Sequence, residues 1–200
     1  MRKDKFNSEN SEKIKELLDS EQVGYLGILT NDKYPRVIPV NFCAIKNIIY
    51  FHGALEGEKY KLFETTPKVT FAVVCQYSLI PSYWISPNYA CTSTIFYKSA
   101  LIKGTGYIVG DLTEKAVALQ SLMEKHQPEG GFNSIDENDK LYQKPLKETG
   151  IFKIIPDKID YRRKFGDYLP RKTREILVEK LLERNKGLDS KTAKELQDCL

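Results

Sequence analysis

Pro35–Lys61, PRVIPVNFCAIKNIIYFHGALEGEKYK, is the stretch whose reading decides the fold. In Arg36–Ala44 the apolar residues Ile38, Val40, Phe42 and Ala44 take every second position, which predicts a strand with one core face. Val37, Pro39, Asn41 and Cys43 fall on the opposite, mixed face, where a site could be lined. A second β-rich run, Ile48–His52, follows Lys46-Asn47, and Asn tolerates the positive φ that a tight hairpin turn requires. Counting outward from Lys46-Asn47 pairs Ile45 with Ile48, Cys43 with Tyr50 and Asn41 with His52. A slip of one residue would move every side chain to the other face, so this pairing depends on the register.

Beyond His52 the chain turns through Gly53 and Gly57 into Glu58–Thr65, a predicted helix with Leu62 and Phe63 inward, stopped by Pro67. The first amides of a helix lack intrahelical partners and carry partial positive charge, and glycines let backbone approach a ligand closely. Lys59 adds a mobile full charge, and Arg36, on the neighbouring strand, a fork-shaped donor suited to phosphate. Two readings stand side by side: an anion-binding corner, or an ordinary strand–turn–helix corner with a solvated lysine. Glu56 and Glu58 in the same turn weigh against the first.

The pattern Pro35-x-Val37-x-Pro39-Val40-Asn41-Phe42, then Ile49-Tyr50-Phe51-His52-x-Ala54-x-x-Gly57-x-Lys59, resembles the flavin-nucleotide-binding proteins related to pyridoxamine-phosphate oxidase. It is most similar to the nitroimidazole-resistance (Nim-like) branch. The resemblance continues through Thr66–Phe71 and Tyr97–Gly104 and spans roughly Val23 to Arg163. It implies a β-dominated α+β fold: an FMN-binding split β-barrel with flanking helices, forming a homodimer that holds FMN at the subunit interface. On that resemblance Arg36 and Lys59 would meet the FMN phosphate. Val37, Pro39, Asn41 and Phe51 would line the ring, and His52 would lie beside it. Ser99, five residues before Gly104, falls where the superfamily places a polar side chain near the flavin.

The rest of the chain fits one domain of ordinary composition. Its 200 residues suffice for a real core, and there is no apolar run long enough to span a bilayer. No apolar h-region follows Met1–Asp4, so no secretory leader is expected. Cys43, Cys75, Cys91 and Cys199 lack paired CxxC spacing, so reduced thiols in the cytoplasm are expected rather than disulfides or zinc. The net charge of +4 comes from interleaved acids and bases, which suits a solvated surface better than a nucleic-acid groove.

Ser8–Ser20 predicts an amphipathic helix with Ile14, Leu17 and Leu18 on one face, and Val23–Thr30 a buried strand. Lys68–Tyr77 is a strongly β run deep in the barrel. Ser78–Thr92, with Trp84 and two tyrosines, reads as a lid over a flat ligand or as a surface loop whose aromatics cap the barrel end; Cys91 within it reads as packing. Ser93–Gly110 is a strand pair or one bent strand, with Gly104 and Gly106 at a bulge. A capping box at Asp111–Glu114 opens a helix that His126 ends, where an imidazole gains from the helix dipole. Gln127–Thr149 is a polar connection with a short helix near Lys140–Tyr142, lacking the spacing of a calcium loop. The last strand, 150–163, is expected to break at Pro156-Asp157 and to end in the basic run Tyr161–Lys164, read either as an anion contact or as solvated surface. The expected division is a flavin-binding domain over 1–166 and a helical extension over 167–200, built from a helix at Arg171–Asn185 and a second at Ser190–Cys199.

His52 carries three readings: a flavin contact or proton donor to a small-molecule substrate, a metal or haem ligand, or a satisfied structural histidine. The expected function is an FMN-dependent oxidoreductase acting on a small acceptor such as a nitroaromatic. The alternative is a flavin- or haem-binding carrier or sensor without turnover. Neither nucleic acid nor membrane is an expected partner. No Ser-His-Asp or paired-carboxylate constellation is evident, which argues against hydrolysis.

Overall fold

The computed structural model describes residues 8–198; Met1–Asp4 and Cys199 lie outside the described residues. The elements run α1 (Ser8–Ser20), β1 (Val23–Leu29), β2 (Pro35–Asn41), β3 (Cys43–Ile45), β4 (Ile48–Gly53), α2 (Glu58–Glu64), β5 (Lys68–Ile80), β6 (Thr94–Ile108), α3 (Leu112–His126), α4 (Lys140–Glu148), β7 (Gly150–Lys164), α5 (Arg171–Arg184) and α6 (Asp189–Gln197). The strands form one sheet in the order β2-β1-β5-β6-β7-β4-β3. By internal contacts the chain divides into two units, residues 1–73 with 100–160 and residues 74–99 with 161–200.

The first unit is built around the opening stretch. Lys46 and Asn47 both adopt positive φ, 51° and 66°, as a two-residue hairpin turn with right-handed strand twist demands. The register is the one counted from the sequence: Ile45 faces Ile48 and Cys43 faces Tyr50. It does not continue to Asn41 and His52. Asn41 instead pairs with Val23 on β1, and His52 with Ile151 on β7. What reads as one strand, Arg36–Ala44, is broken at Phe42, whose buried ring packs edge-on against Phe71 at 5.2 Å between centroids. Its two halves lie at opposite edges of the sheet. Only one residue separates them, so the sheet curls until those edges meet, and the result is a split β-barrel.

The break also changes which side chains are inside. Cys43, expected on the mixed face, is buried with Tyr50, Val109, Ala118, Leu122 and Ile151 beneath α3. Burial pushes its thiol up to about 12, so it stays protonated. β1 is one-sided rather than wholly buried: Leu26 and Ile28 point inward, while Val23, Tyr25 and Leu29 are exposed. Gly24 is required, because a Cβ there would sit 2.1 Å from the Phe71 ring.

β6 is a single strand, and its glycines serve close approach. A Cβ on Gly104 would lie 2.4 Å from the Ile155 carbonyl oxygen, and one on Gly106 would lie 2.6 Å from the Phe63 ring. β7 runs unbroken through Pro156-Asp157. Its ladder with β4 ends at Ile154, so a proline beyond that point removes no bond from it. Asp111 caps α3 by accepting a hydrogen bond from the Glu114 amide at 2.7 Å, as the capping box predicts. The connection 127–149 holds a full helix, α4, where only a short one is expected. Leu146 is buried there, and the ammonium of the buried Lys115 donates to the carbonyls of Leu146 and Thr149.

The second unit has its own core: Ile80, Phe96, Phe165, Leu177, Val178, Leu181, Ala193 and Leu196, with Tyr77, Trp84, Ile85 and Leu169 packed against it. Trp84 therefore belongs to this core, with the Arg184 guanidinium 4.6 Å from its ring centroid. On α5 Leu177 and Leu181 point inward, whereas Ile176 is 37% exposed. Asn185, left-handed at φ 44°, ends that helix.

Candidate functional site

The corner between β4 and α2 gathers the charged residues singled out by the sequence. β4 alternates, so Phe51 turns into the core and His52 turns out. Phe51 is fully buried, stacked on Phe152 with ring centroids 5.3 Å apart and edge-on to Phe63. Its side chain is thus a floor of the barrel, which leaves its backbone as the part that could line a ring.

Lys59, one residue into α2, folds back over that floor. Its ammonium lies 5.5 Å from the Phe51 centroid and 5.0 Å from that of Phe152. Gly53 makes the room: a Cβ there would come within 2.5 Å of the Lys59 Nζ. The side chain is half-buried, and among the described residues no carboxylate lies within ion-pairing distance of it. Burial holds its pKa below the ordinary lysine value. A cation partly stripped of water and short of a counter-charge is poised to take an anion.

His52, the residue between Phe51 and Gly53, is exposed on the opposite face of β4 from the one that carries this ammonium. Partial burial, then the charge of Lys59, then His126 hold its imidazole below the usual range, so it is neutral at pH 7. His126 is the residue that sequence reasoning left in a capping role. Its Nε2 lies 3.1 Å from the Phe42 carbonyl oxygen, at the break between β2 and β3. The preceding residue, Lys125, donates to the Leu18 carbonyl at 2.7 Å and sits 3.7 Å from the Phe42 centroid, its pKa pushed down to about 8 by burial. No spacing in the sequence connects His126 to His52; the strand break and the seating of α3 on β3 and β4 bring them together.

Arg36 is engaged elsewhere. Its Nε is 3.0 Å from Glu58 Oε2, tying β2 to the first turn of α2. The guanidinium therefore already has a carboxylate partner, in a pair with both side chains about half exposed. Beside it lies an open depression of about 390 Å³ lined by Thr30, Asn31, Asp32, Gly57, Glu58, Lys61 and Leu62. Val37, Pro39 and Asn41 lie on the outward face of β2, opposite Gly27, Tyr25 and Val23 of β1. Val37 is 66% exposed, Tyr25 46% and Leu29 59%, an apolar sheet face open to a ligand or a partner. Asn41 Nδ2 donates to the Gln22 carbonyl at 3.3 Å. Ser99 is half-buried on β6.

Chemically, the corner offers an under-neutralised ammonium above an aromatic floor, with an exposed imidazole on the other face of β4. It can bind an anionic group and move a proton nearby. Among the described residues no group of His, Cys, Asp and Glu is arranged to hold a metal ion. No described helix is long and apolar enough to cross a membrane.

Comparison with known proteins agrees with this architecture. No curated protein matches the chain. Among solved structures, a protein provisionally named a 5-nitroimidazole antibiotic resistance protein from Bacteroides thetaiotaomicron superposes with a TM-score of 0.61 at 19% identity, covering 78% of this chain and 84% of that one. The flavocytochrome Anf3 from Azotobacter vinelandii gives 0.65 at 18% identity, covering 81% and 69%. A FAD and heme binding protein from Mycobacterium smegmatis gives 0.64 at 16%, covering 78% and 71%. At such identities these likenesses establish the shared fold. The model of the pyridoxamine 5'-phosphate oxidase family matches residues 10–163, more than half of the sequence, and this chain belongs to that family.

Proposed function

We propose that this chain binds FMN through the β4–α2 corner and serves as a flavin-dependent oxidoreductase for a small acceptor, with a nitroaromatic as the leading class. The single observation that carries the reading is the Lys59 ammonium, half-buried over Phe51 and Phe152 with no carboxylate partner among the described residues. That is the electrostatic vacancy a flavin phosphate would fill. Two relatives in fold, one named as a flavocytochrome and one as an FAD and heme binding protein, support a flavin of some kind. The relative named for 5-nitroimidazole resistance supports the acceptor class. A bound flavin supplies reversible electron transfer; the protein supplies its position and the surrounding charge. In this reading Lys59 binds the phosphate, the outward face of β2 at Val37, Pro39 and Asn41 supports the ring, and neutral His52 holds or moves a proton beside it.

The exposed apolar face of β1 and β2 is assigned to a second copy of the chain, making a homodimer with the cofactor at its interface. A cytoplasmic location, with no nucleic-acid or membrane partner, belongs to the same reading. Haem names among the fold relatives favour one rival, a flavin or haem carrier without turnover.

Native mass spectrometry of the purified chain tests both parts, giving the ligand's mass and the number of copies. FMN on a dimer is the expected result, and haem or no ligand overturns the FMN assignment. Anaerobic mixing with NADH or NADPH and a 5-nitroimidazole then separates enzyme from carrier. Lys59→Ala should weaken FMN binding by roughly ten- to 150-fold, the worth of one charge-assisted contact of about 1.5–3 kcal/mol. Unchanged affinity in a fluorescence titration removes Lys59 from the site.

A further inference from the structure

We propose that the second unit docks an acidic protein segment, anchored where Tyr83 and Trp84 meet Lys180 and Arg184. This stands apart from the flavin assignment, since every residue involved lies in 74–99 or 161–200.

Charge is the first observation. Along the sequence acids and bases interleave, but the two units do not share them equally. Of the 31 Lys and Arg and the 27 Asp and Glu, the second unit holds twelve and seven, and the first nineteen and twenty. The whole net charge of +4 therefore lies on the second unit. Four of its seven acids are already spent on cations of the same unit: Asp167 on Arg163, Glu175 on Arg171, Asp189 on Arg184 and Glu195 on Lys98. The excess stands at the surface, where Arg162, Lys172, Lys186, Lys191 and Lys194 are all exposed. A field of that sign attracts acidic partners and steers them to the surface that carries it.

A rigid anchor within that field is the second observation. Ser82–Trp84 form a short 3-10 turn, braced by the Ile85 amide and the Thr92 hydroxyl, which donate to the Ser82 carbonyl at 2.9 and 3.0 Å. Trp84 packs on the core of the unit. The Arg184 guanidinium lies 4.6 Å from its ring centroid and the Lys180 ammonium 5.9 Å. Arg184 also donates to the Leu79 carbonyl at 3.0 Å, so β5, the turn and α5 meet at one place. The charge of Arg184 is answered by Asp189, whereas among the described residues no carboxylate pairs with Lys180. At this place Tyr83 is 67% exposed and Leu79 49%. Tyr, Trp and Arg are the residues that most often carry binding energy, and side chains already held in place lose little entropy on binding.

The mixture decides the class of partner. Exposed apolar side chains stand among the cations, and Glu179 and Glu183, exposed on α5, repel an evenly charged polyanion such as a nucleic-acid backbone or an anionic bilayer. A peptide can set apolar residues against the Tyr83–Trp84 turn and its carboxylates against the lysines.

Trp84 is the only tryptophan of the chain, so its emission reports on the anchor. The probes are a synthetic peptide of repeating Glu-Glu-Leu, its Lys-Lys-Leu counterpart, oligothymidylate, and vesicles containing phosphatidylglycerol, with calorimetry as a second readout that does not depend on Trp84. The acidic peptide should shift the emission saturably and release heat, and its affinity should fall as salt is raised. Tyr83→Ala and Lys180→Glu should each weaken it at least about tenfold. Both side chains lie outside the buried core, and urea unfolding of the two variants checks that the fold is kept. Equal binding of the acidic and basic peptides overturns the charge argument. Binding of oligothymidylate or vesicles in place of the acidic peptide overturns the protein partner, and silence with every probe overturns the docking surface itself.

Discussion

Two charged clusters in this chain are built on opposite terms. In the second unit, Asp189 is 2% exposed and receives bonds from every side. Arg184 donates to both of its oxygens at 2.7 Å, Ser78 Oγ donates at 2.5 Å, and the Lys186 amide donates at 2.9 Å. Arg184 adds a bond to the Leu79 carbonyl, and Thr192 joins Ser78 to the Leu188 carbonyl. At the β4–α2 corner, no carboxylate lies within ion-pairing distance of Lys59 among the described residues. Full satisfaction locks helices to a strand; deficit leaves work for a ligand. The contrast separates a structural charge from a functional one without reference to residue type.

The largest effect tests the saturated side. Asp189→Ala leaves a partly buried guanidinium without its carboxylate and removes the acceptor that ties α5 and α6 to Ser78 on β5. A loss of about 3–5 kcal/mol is expected, visible in urea unfolding. The hydrogen bond from Arg184 and those from Ser78 and the Lys186 amide hold the carboxyl well below the ordinary aspartate range. Its contribution is therefore present above the unfolded carboxylate pKa and fades as the pH falls toward the lower folded value. Unfolding midpoints that do not move between wild type and variant would place this network among the ornamental ion pairs.

Gly53→Ala probes the deficient side with the opposite signature. The new methyl would collide with the far end of the flexible Lys59 side chain, and the Phe152 ring at 3.3 Å needs to give only slightly. Stability should change by less than about 1 kcal/mol, while FMN affinity drops about tenfold because the ammonium leaves its cradle. Equal losses in both measurements would erase the distinction between the two clusters.

How far the sequence carries this comparison differs residue by residue. The hairpin register was legible because Lys46-Asn47 can take positive φ and the count outward has one solution. The break at Phe42 was not, because alternation runs through it undisturbed; only the closure of the sheet reveals that one residue must serve both edges. Lys59 was visible from its glycine-rich corner. His126 was not, since its place beside His52 comes from α3 covering the β3–β4 hairpin, a contact far apart in sequence. The inward turn of Phe51 was legible, since strand alternation puts its side chain on the face opposite that of His52. The unbroken β7 was missed because Pro156 reads as a breaker wherever the partner strand is unknown.

Arg36 gives the smallest effect and the sharpest cut. Its type and place in the motif make it a phosphate ligand, and a ligand of that kind should cost as much to remove as Lys59. Its geometry makes it half of an exposed ion pair with Glu58, 3.0 Å apart with both side chains about half open to water. Pairs of that kind contribute about 0.2–1 kcal/mol. Arg36→Ala should therefore shift FMN affinity by less than about threefold, and Glu58→Gln should strengthen it slightly by releasing the guanidinium and removing a repelling charge. If Arg36→Ala instead matches Lys59→Ala in a fluorescence titration, the ion pair yields to the phosphate on binding, and an already partnered cation has to be counted among those available to the ligand.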